Sequence, residues 1–261
     1  MKPGGLAVVT GATGGVGSSI ARRLSQDGFD LLLSGRNKEA LSALAAELRT
    51  GRCTIHLDVG QLQDAADASR IALATRSLAA VSVLVNASGM FGPIGMPSDT
   101  SPYDLQLTLS VNVIGPMCLS QLTAHDMIKA GQGRIVNVSS AQALHPPDPT
   151  VAAYATSKVA LNFATRCLAA ELEGSEVSAC VIHPGNVMTS MWEDIEHRAR
   201  DAGSSASGLL RWADQVRYTG GDSPQAAATL VAKIVDGGAA WSNGRFLAIE
   251  GGFDHHPPVG W

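Results

Sequence analysis

A tyrosine and a lysine stand four residues apart in the segment AAYATSKVAL, which covers residues 152–161. The chain has only 3 tyrosines, so Tyr154 in this alanine-rich stretch is a candidate acid or base. Residues 151–172 are predicted to be helical, and side chains four apart on a helix share one face. The ammonium of Lys158 would favour the ionised phenol and lower the pKa of Tyr154, which suits proton transfer near neutral pH. Because Tyr-x-x-x-Lys also occurs by chance on helix surfaces, the pair needs support from the rest of the chain.

Other polar residues lie where such a site would need them. The segment GRIVNVSS puts Ser139 and Ser140 at the end of a predicted strand, where ligands gather in parallel sheets. Asn112, in TLSVNVIG, falls inside a long predicted helix, where asparagine is unfavourable unless it bonds to something. The segment HPGNVMT follows another predicted strand.

A glycine-rich turn connects the first predicted strand to the first predicted helix. In TGATGGVG, the residues Gly11, Gly15 and Gly17 let the backbone turn sharply and approach a pyrophosphate at the helix N-terminus. Tight turns also use glycine for steric reasons alone. The position between strand and helix favours dinucleotide binding.

The second predicted strand ends in LLLSGRN. An NAD site usually has an acid there for the ribose hydroxyl, whereas this chain has Ser34, Gly35 and Arg36. An arginine at this place fits the 2′-phosphate of NADP(H), although an ordinary solvated arginine is an equal alternative by itself. The missing acid favours NADP(H) as the cofactor over NAD(H).

Short apolar runs alternate with longer helical patterns along the whole chain. Such βαβ alternation predicts one parallel sheet with helices on both faces. The predicted strands are Leu6–Thr10, Leu31–Ser34, Cys53–Leu57, Val81–Val85, Arg134–Val138, Val177–Ile182 and Arg245–Ile249. The predicted helices are 16–27, 38–49, 62–78, 102–129, 151–172 and 223–236.

Composition excludes several classes of protein. The 261 residues, 45% hydrophobic and 16% charged, indicate a globular chain. The formal charge of −4 gives no reason to expect nucleic acid or an anionic membrane as partner. The 4 cysteines form no CxxC pair, which argues against a zinc site or a disulfide framework. With no apolar run near the ~20 residues of a membrane span and no signal-peptide pattern, we expect a cytoplasmic protein.

Taken together, the motifs resemble those of the short-chain dehydrogenase/reductase family, in the same order from Leu6 to about Gly252. The resemblance implies one doubly wound Rossmann-type α/β domain over residues 1–261, with a seven-stranded parallel sheet. It implies that Tyr154 is the acid/base and that Lys158 binds the nicotinamide ribose and lowers the tyrosine pKa. Ser140 would orient the substrate carbonyl, and Asn112 would hold a water of a proton relay.

The resemblance also implies a set of cofactor contacts. TGATGGVG matches the family's cofactor loop, LDV its adenine-contacting aspartate, and PGNVMT its PGxxxT segment beside the carboxamide and phosphates. The implied cofactor-binding residues are Gly11, Thr13, Gly15, Val16, Gly17, Arg36, Asp58, Val59, Asn86, Gly89, Tyr154, Lys158, Val187 and Thr189.

Two segments depart from the family pattern. The family's NNAG reads NASG at residues 86–89, which changes contacts behind the nicotinamide without removing a catalytic group. Ser140 precedes Tyr154 by 14 residues instead of the common 13. We expect the extra residue to bulge in ALHPPDPTVA at the pocket rim, and Ser139 remains an alternative to Ser140.

Residues 188–222 are the one irregular region and are interpreted as a substrate lid. Apolar residues there could line a substrate pocket or simply pack together: Met188, Met191, Trp192, Leu209, Leu210 and Trp212. Its arginines could bind an acidic substrate, but a solvated helix face is the simpler interpretation: Arg198, Arg200, Arg211 and Arg217. His255 and His256 lack further metal ligands, so we expect a solvated tail or a subunit contact and no metal site.

The sequence therefore predicts an NADP(H)-dependent oxidoreductase that interconverts a ketone or aldehyde and an alcohol. The alternatives are an NAD(H)-dependent alcohol dehydrogenase, a dehydratase or epimerase of the same fold, and a non-catalytic dinucleotide sensor. We expect a small-molecule substrate and a homodimer or homotetramer.

Overall fold

Seven short strands form one sheet in the part of the chain that the computed structural model describes, residues 4–49 and 53–250. The strands are β1 (Leu6–Thr10), β2 (Asp30–Gly35), β3 (Ile55–Val59), β4 (Val81–Asn86), β5 (Gly133–Val138), β6 (Val177–His183) and β7 (Phe246–Ala248). Their order is β3-β2-β1-β4-β5-β6-β7, and every pair is parallel. The predicted fold class, a doubly wound Rossmann-type α/β fold, is confirmed.

Helices cover both faces of the sheet. They are α1 (Gly15–Gln26), α2 (Lys38–Leu48), α3 (Ala65–Arg76), α4 (Pro102–Leu109), α5 (Gly115–Ala130), α6 (Ala152–Glu171), α7 (Ser190–Ala202), α8 (Ser207–Thr219), α9 (Pro224–Asp236) and α10 (Ala239–Ser242). The apolar faces of α1, α2 and α9 bury one side of the sheet, and those of α3, α5 and α6 bury the other. The strands are apolar on both sides because neither face meets water.

The strand order reverses between β1 and β4. Connections from these two strands leave toward opposite sides of the sheet, so a crevice opens beyond their carboxyl ends. Parallel sheets bind their ligands at this point, and the glycine loop after β1 lies there. The fold therefore places the glycine loop, the end of β5 and the start of α6 around one opening.

Apart from shifts of up to three residues at element ends and the unpredicted short helix α10, two regions differ from the sequence prediction. The long helix expected over 102–129 contains a wide π-helical turn, Ser110–Ile114, between α4 and α5. Residues 188–222, expected to be irregular, consist mainly of the helices α7 and α8 with a 3₁₀ turn, Gly203–Ala206, between them. The glycine- and serine-rich sequence that favoured a loop occupies only this short turn.

The segment Pro102–Ala130 is long and apolar enough to cross a membrane by length and composition, with a mean hydropathy of 1.2 in its most apolar window. Polar residues such as Asn112 and His125 interrupt the segment, so it is not a continuous apolar run. In the fold, 44% of that window is buried inside the protein, where Leu119 and Met127 pack in the core. Burial against the sheet accounts for the apolar composition.

Candidate active site

Tyr154 and Lys158 lie in the first two turns of α6, at the carboxyl end of the sheet. The Lys158 side chain is buried, and its Nζ donates a hydrogen bond of 2.9 Å to the carbonyl of Val138, the last residue of β5. The same Nζ lies 5.6 Å from the centroid of the Tyr154 ring. The helical spacing therefore brings the two side chains together, as the sequence predicted.

Burial dominates the ionisation of both groups. It raises the pKa of the Tyr154 phenol above its ordinary value, and a hydrogen bond with Ser140 opposes this with a smaller effect. Burial also lowers the pKa of Lys158 to about 8. The expected lowering of the tyrosine pKa by Lys158 is not found here, because the loss of water around the phenol outweighs other effects.

The two serines after β5 point to different partners. Ser139 donates to the side-chain oxygen of Asn162 at 2.5 Å and is buried under α6. Ser140 hydrogen-bonds to Tyr154 and accepts from the backbone of Gln142 at 3.2 Å. The geometry thus places Ser140, and not Ser139, beside the phenol.

Asn112 is buried in the π-helical turn and is fully engaged. Its side-chain oxygen accepts from the backbone N–H of Met90 at 2.9 Å. Its amide donates to the Met90 carbonyl at 2.8 Å and to the Ser157 hydroxyl at 2.9 Å. The Asn112 side chain therefore connects the loop after β4 to α6. A relay water would have to bind a backbone group of the wide turn instead.

The glycine loop has the geometry of an anion-binding turn. Gly11 has φ of +60°, and a Cβ there would lie 2.6 Å from the backbone nitrogen of Ser88. A Cβ at Gly15 would lie 2.6 Å from the methyl carbon of Thr189 across the opening. Gly14 begins α1 without a side-chain cap, so the first N–H groups of the helix are available to an anion. A dinucleotide's phosphates fit this cradle.

One groove joins these parts. Its volume of about 1630 Å³ exceeds the 300–1,000 Å³ typical of a single small ligand and suits a dinucleotide plus a substrate. Most predicted site residues line it: Gly11, Thr13, Gly15, Val16, Gly17, Arg36, Gly89, Ser140, Tyr154, Lys158, Val187 and Thr189. The segment after Ser140 forms part of its rim, through Gln142, His145 and Asp148.

Four predicted site residues lie behind the groove surface. Asn112 is one, as described. Asn86 is buried and donates to the side-chain oxygen of Asn137 at 2.8 Å. Asp58 is buried and accepts from Ser34 at 2.7 Å. Val59, which follows Asp58, does not line the groove either.

The end of the groove near β2 carries charge of both signs. Arg36 is exposed and lines the groove, and Asn37 caps α2 by accepting from Ala40 N–H at 2.9 Å. Glu39 lines the same end. No acid follows directly at the tip of β2, but Glu39, three residues after Arg36, lies at the same end of the groove.

Two residues of the site were missed in the sequence. Phe91 is buried, and its ring centroid lies 4.5 Å from that of Tyr154. His183 is buried, and its Nδ1 accepts from the backbone N–H of Ala141 at 3.2 Å. Burial lowers the pKa of His183, which favours the neutral form that this bond needs. Their positions, two residues after NASG and in HPG, were the available signals.

The helices α7 and α8 lie over the substrate end. Of the six apolar residues considered there, Met191, Trp192, Leu209 and Trp212 line the groove. Glu196 is buried and pairs with Arg200 at 2.6 Å and with Arg217. Arg217 joins α8 to α7 through this pair, whereas Arg200 lies on the same helix as Glu196. His255 and His256 lie outside the described residues.

Comparison with known proteins agrees with this geometry. Residues 5–200 match the family model for short chain dehydrogenases. The chain is 32% identical to a D-threitol dehydrogenase of Mycolicibacterium smegmatis, over 96% of this chain and 93% of that protein. Two solved structures, each 25% identical, superpose with a TM-score of 0.84. One is an actinorhodin polyketide ketoreductase with NADPH, covering 97% of this chain and 98% of that one. The other is a NAD⁺-bound xylitol dehydrogenase, covering 96% and 99%.

Proposed function

Because this chain belongs to the short-chain dehydrogenase/reductase family, we propose that it is an NADP(H)-dependent oxidoreductase that interconverts a ketone or aldehyde and an alcohol. One observation carries the proposal: Ser140, Tyr154 and Lys158 meet in a groove whose other part is the glycine loop. A regulatory sensor of dinucleotides would not need this acid/base set.

The side chains divide the work of the reaction. A bound nicotinamide supplies or accepts the hydride. In the reducing direction, the Tyr154 phenol donates its proton to the substrate oxygen, and Ser140 hydrogen-bonds to the same oxygen. The Lys158 ammonium stabilises the phenolate that remains after proton transfer. Phe91 packs on the Tyr154 ring and keeps the phenol in place.

The preference for NADP(H) is supported by Arg36 and opposed by Glu39, since one attracts and the other repels a phosphate. The two similar structures carry different cofactors, NADPH in one and NAD⁺ in the other. We propose NADP(H) because no acid occupies the strand tip. NAD(H)-dependent oxidation of an alcohol is the second candidate, favoured by the similarity to the NAD⁺-bound xylitol dehydrogenase.

The test is turnover of ketones and secondary alcohols with NADPH, NADP⁺, NADH and NAD⁺. We expect cofactor consumption that matches product formation and is faster with NADP(H). A dehydratase or epimerase would convert substrate without net cofactor consumption. Cofactor binding without turnover of any substrate would indicate a sensor and contradict the proposal.

Ketone reduction is expected to slow as the pH rises above about 8. Lys158 has its pKa lowered to about 8 by burial, so above that value it loses the positive charge that stabilises the phenolate. The pKa of Tyr154 is raised, so the phenol itself keeps its proton over this range. The measurement is kcat/KM for the ketone between pH 6 and 10. A rate that stays constant to pH 10 would show that Lys158 does not act through its charge.

Residues 188–222 are proposed to act as a lid that is held more firmly when ligands are present. Met191 and Leu209, on its two helices, line the groove, so a bound cofactor and substrate would add contacts to both. Limited proteolysis of the unliganded and fully liganded protein is the measurement. We expect slower cleavage at Gly203–Ala206 with ligands, and equal rates would contradict a lid.

Glu196→Gln is expected to loosen this helix pair. The change keeps the side-chain volume but removes the charge that pairs with Arg200 and Arg217. Both arginines are more than half exposed, so we expect a loss of only about 1–2 kcal/mol in unfolding free energy. Thermal unfolding should shift down by about 2–6 °C, and cleavage in the lid should accelerate. Glu193→Gln, at an exposed site on the same helix, is the control. A Glu196 variant no less stable than this control would refute the role.

A homodimer or homotetramer is also proposed. Val159 and Phe163 lie four residues apart on α6 and are 50% and 61% exposed, which is unusual for apolar side chains on one helix face. Light scattering at several protein concentrations measures the mass directly. A monomer at all concentrations would exclude this proposal.

A further inference from the structure

The substrate end of the groove has an apolar wall. Phe91, Val151, Ile195 and Leu209 are buried members of one apolar cluster, and Tyr154 packs against the same cluster. All five line the groove. A substituent on a carbonyl carbon held beside the phenol therefore meets carbon atoms on this side.

The charged side chains at this end already have partners. Asp148 accepts from the backbone N–H and the hydroxyl of Thr150 at 2.9 and 2.6 Å. Arg198 donates to the Gly92 carbonyl at 2.6 Å and pairs with Asp194 at 2.6 Å. Two further donors, Nε of Arg198 and Nε1 of Trp192, have no partner in the described part of the chain, but both atoms are buried. To find a partner along the wall, a substrate hydroxyl would have to compete with the bonds above or reach one of these buried donors.

We propose that the substrate carries a bulky apolar group, cyclic or aromatic, next to its carbonyl or carbinol carbon, and that extended polyols and ketoses are poor substrates. This inference rests on the proposed oxidoreductase function. A ketose carries a hydroxyl on every carbon except the carbonyl carbon, and the hydroxyls that face the apolar wall would lose water without gaining a hydrogen bond. Gln142 and the exposed His145 line the groove and can serve one polar group at the rim.

The experiment compares acetophenone and α-tetralone with erythrulose and xylulose as substrates of the wild-type protein. Two hydroxyls without partners should lower kcat/KM by at least about 30-fold, so we expect the aryl ketones to be favoured by that factor or more. Equal or better turnover of the ketoses would overturn the inference and leave the oxidoreductase function intact. Turnover of neither class would contradict the proposed function and, with it, this inference.

Two neighbouring leucines provide a matched pair of variants. Leu209 lines the groove, whereas Leu210 packs against the same cluster and does not line it. We expect Leu209→Ala to lower kcat/KM for the aryl ketone about 10-fold and Leu210→Ala to change it less than about threefold. Circular dichroism and thermal unfolding would establish that both variants fold. Equal effects of the two changes would show that the wall does not contact substrate.

A separate observation concerns the opposite end of the groove, where Arg70 of α3 holds the loop after β3. Its guanidinium pairs with the buried carboxylate of Asp58 and donates to the Gln61 carbonyl at 2.6 Å. Ser34 donates to the second oxygen of Asp58 at 2.7 Å. The carboxylate is thus shared between β2 and α3, and the loop is tied to both.

Gly60 makes room for this arginine. A Cβ at Gly60 would lie 2.6 Å from Nη2 of Arg70, and the three nearest atoms all belong to that guanidinium. The backbone of Gly60 is outside the left-handed region, so its conformation alone does not require glycine. Glycine is therefore needed at position 60 because any side chain there would collide with the guanidinium of Arg70.

We infer that Arg70 is a positioning residue for the adenosine half of the dinucleotide. The glycine loop binds the phosphates and Tyr154 marks the nicotinamide end, so the loop after β3 is left for the adenosine. Gly60 and Gln61 line the groove there, and Arg70 fixes them from behind. The inference rests on the proposed dinucleotide binding.

The test measures binding of NADPH, of 2′,5′-ADP and of nicotinamide mononucleotide to the wild type and to Arg70→Ala. We expect the Kd for NADPH and for 2′,5′-ADP to rise about 10-fold, because a charge-assisted contact behind the site is lost. Binding of the mononucleotide, and kcat at saturating cofactor, should change less than twofold. Unchanged binding of 2′,5′-ADP, or an equal loss for the mononucleotide, would overturn the role. A wild type that binds no dinucleotide would contradict the proposed function itself.

A double-mutant cycle connects the two residues. Gly60→Ala should weaken 2′,5′-ADP binding by displacing the guanidinium, and it should add little when Arg70 is already alanine. We therefore expect the double variant to bind within about twofold of Arg70→Ala. Fully additive losses would show that Gly60 and Arg70 act independently.

Discussion

Tyr154→Phe is expected to fold, to bind cofactor and to lose at least about 100-fold in kcat, the usual scale for removing a general acid. The phenylalanine ring keeps the packing against Phe91 and the position under Lys158. The variant lacks only the hydroxyl that hydrogen-bonds to Ser140 and carries the transferable proton. Steady-state kinetics with a ketone and NADPH measures the loss.

Tyr218→Phe is the matched control, since Tyr218 is 92% exposed and does not line the groove. It should retain the activity of the wild type. Cofactor titration and thermal unfolding would show that both variants are native. Activity of Tyr154→Phe within a few-fold of the wild type would rule out the phenol as the acid.

Arg36→Ala is expected to lower kcat/KM for NADPH by roughly 10- to 100-fold. A hydrogen bond to a charged group contributes about 1.5–3 kcal/mol, and 1.4 kcal/mol corresponds to a factor of ten. Arg36 is exposed on the groove at the tip of β2, within the part left for the adenosine. NADH has no 2′-phosphate, so its kcat/KM should barely change. Both cofactors are measured at one ionic strength, because salt screens such contacts.

Two further variants sharpen this test. Lys38→Ala removes an exposed cation two residues away that does not line the groove, and we expect less than about a threefold effect. Glu39→Gln removes the acid at the same end and should shift the preference further toward NADPH. A wild type that prefers NADH, or an unchanged cofactor ratio in Arg36→Ala, would contradict the assignment to NADP(H).

The strands could be predicted because burial on both faces of the sheet requires nearly continuous apolar runs in the sequence. Every residue of β6, Val177–His183, is buried, and the sequence is correspondingly apolar. The helix pair in 188–222 was missed because its GSSA turn carries loop-forming residues. Thr189 is the helix N-cap of α7, with Glu193 in the first turn and Arg200 in the last, which was a local signal for this helix.

The site residues also divide into those that the sequence could predict and those that it could not. Tyr154 and Lys158 were found because their spacing on one helix is a local property. The engagement of Asp58 by Arg70 depends on how α3 packs against β3, and the burial of Asn86 beside Asn137 depends on strand pairing. The pKa of Tyr154 depends on how much water the fold excludes, which no pattern of residues expresses. Such properties follow from three-dimensional packing.

The proposed reaction is hydride transfer to a carbonyl at the Tyr154 site. The most direct test supplies the wild-type protein with NADPH that is deuterated at the transferred position of nicotinamide C4, together with an aryl ketone. We expect one deuterium on the carbinol carbon of the alcohol for each NADPH consumed, and a solvent-derived proton on its oxygen. An alcohol without deuterium, or NADPH that remains unconsumed with every carbonyl compound while it binds in the groove, would contradict hydride transfer at this site.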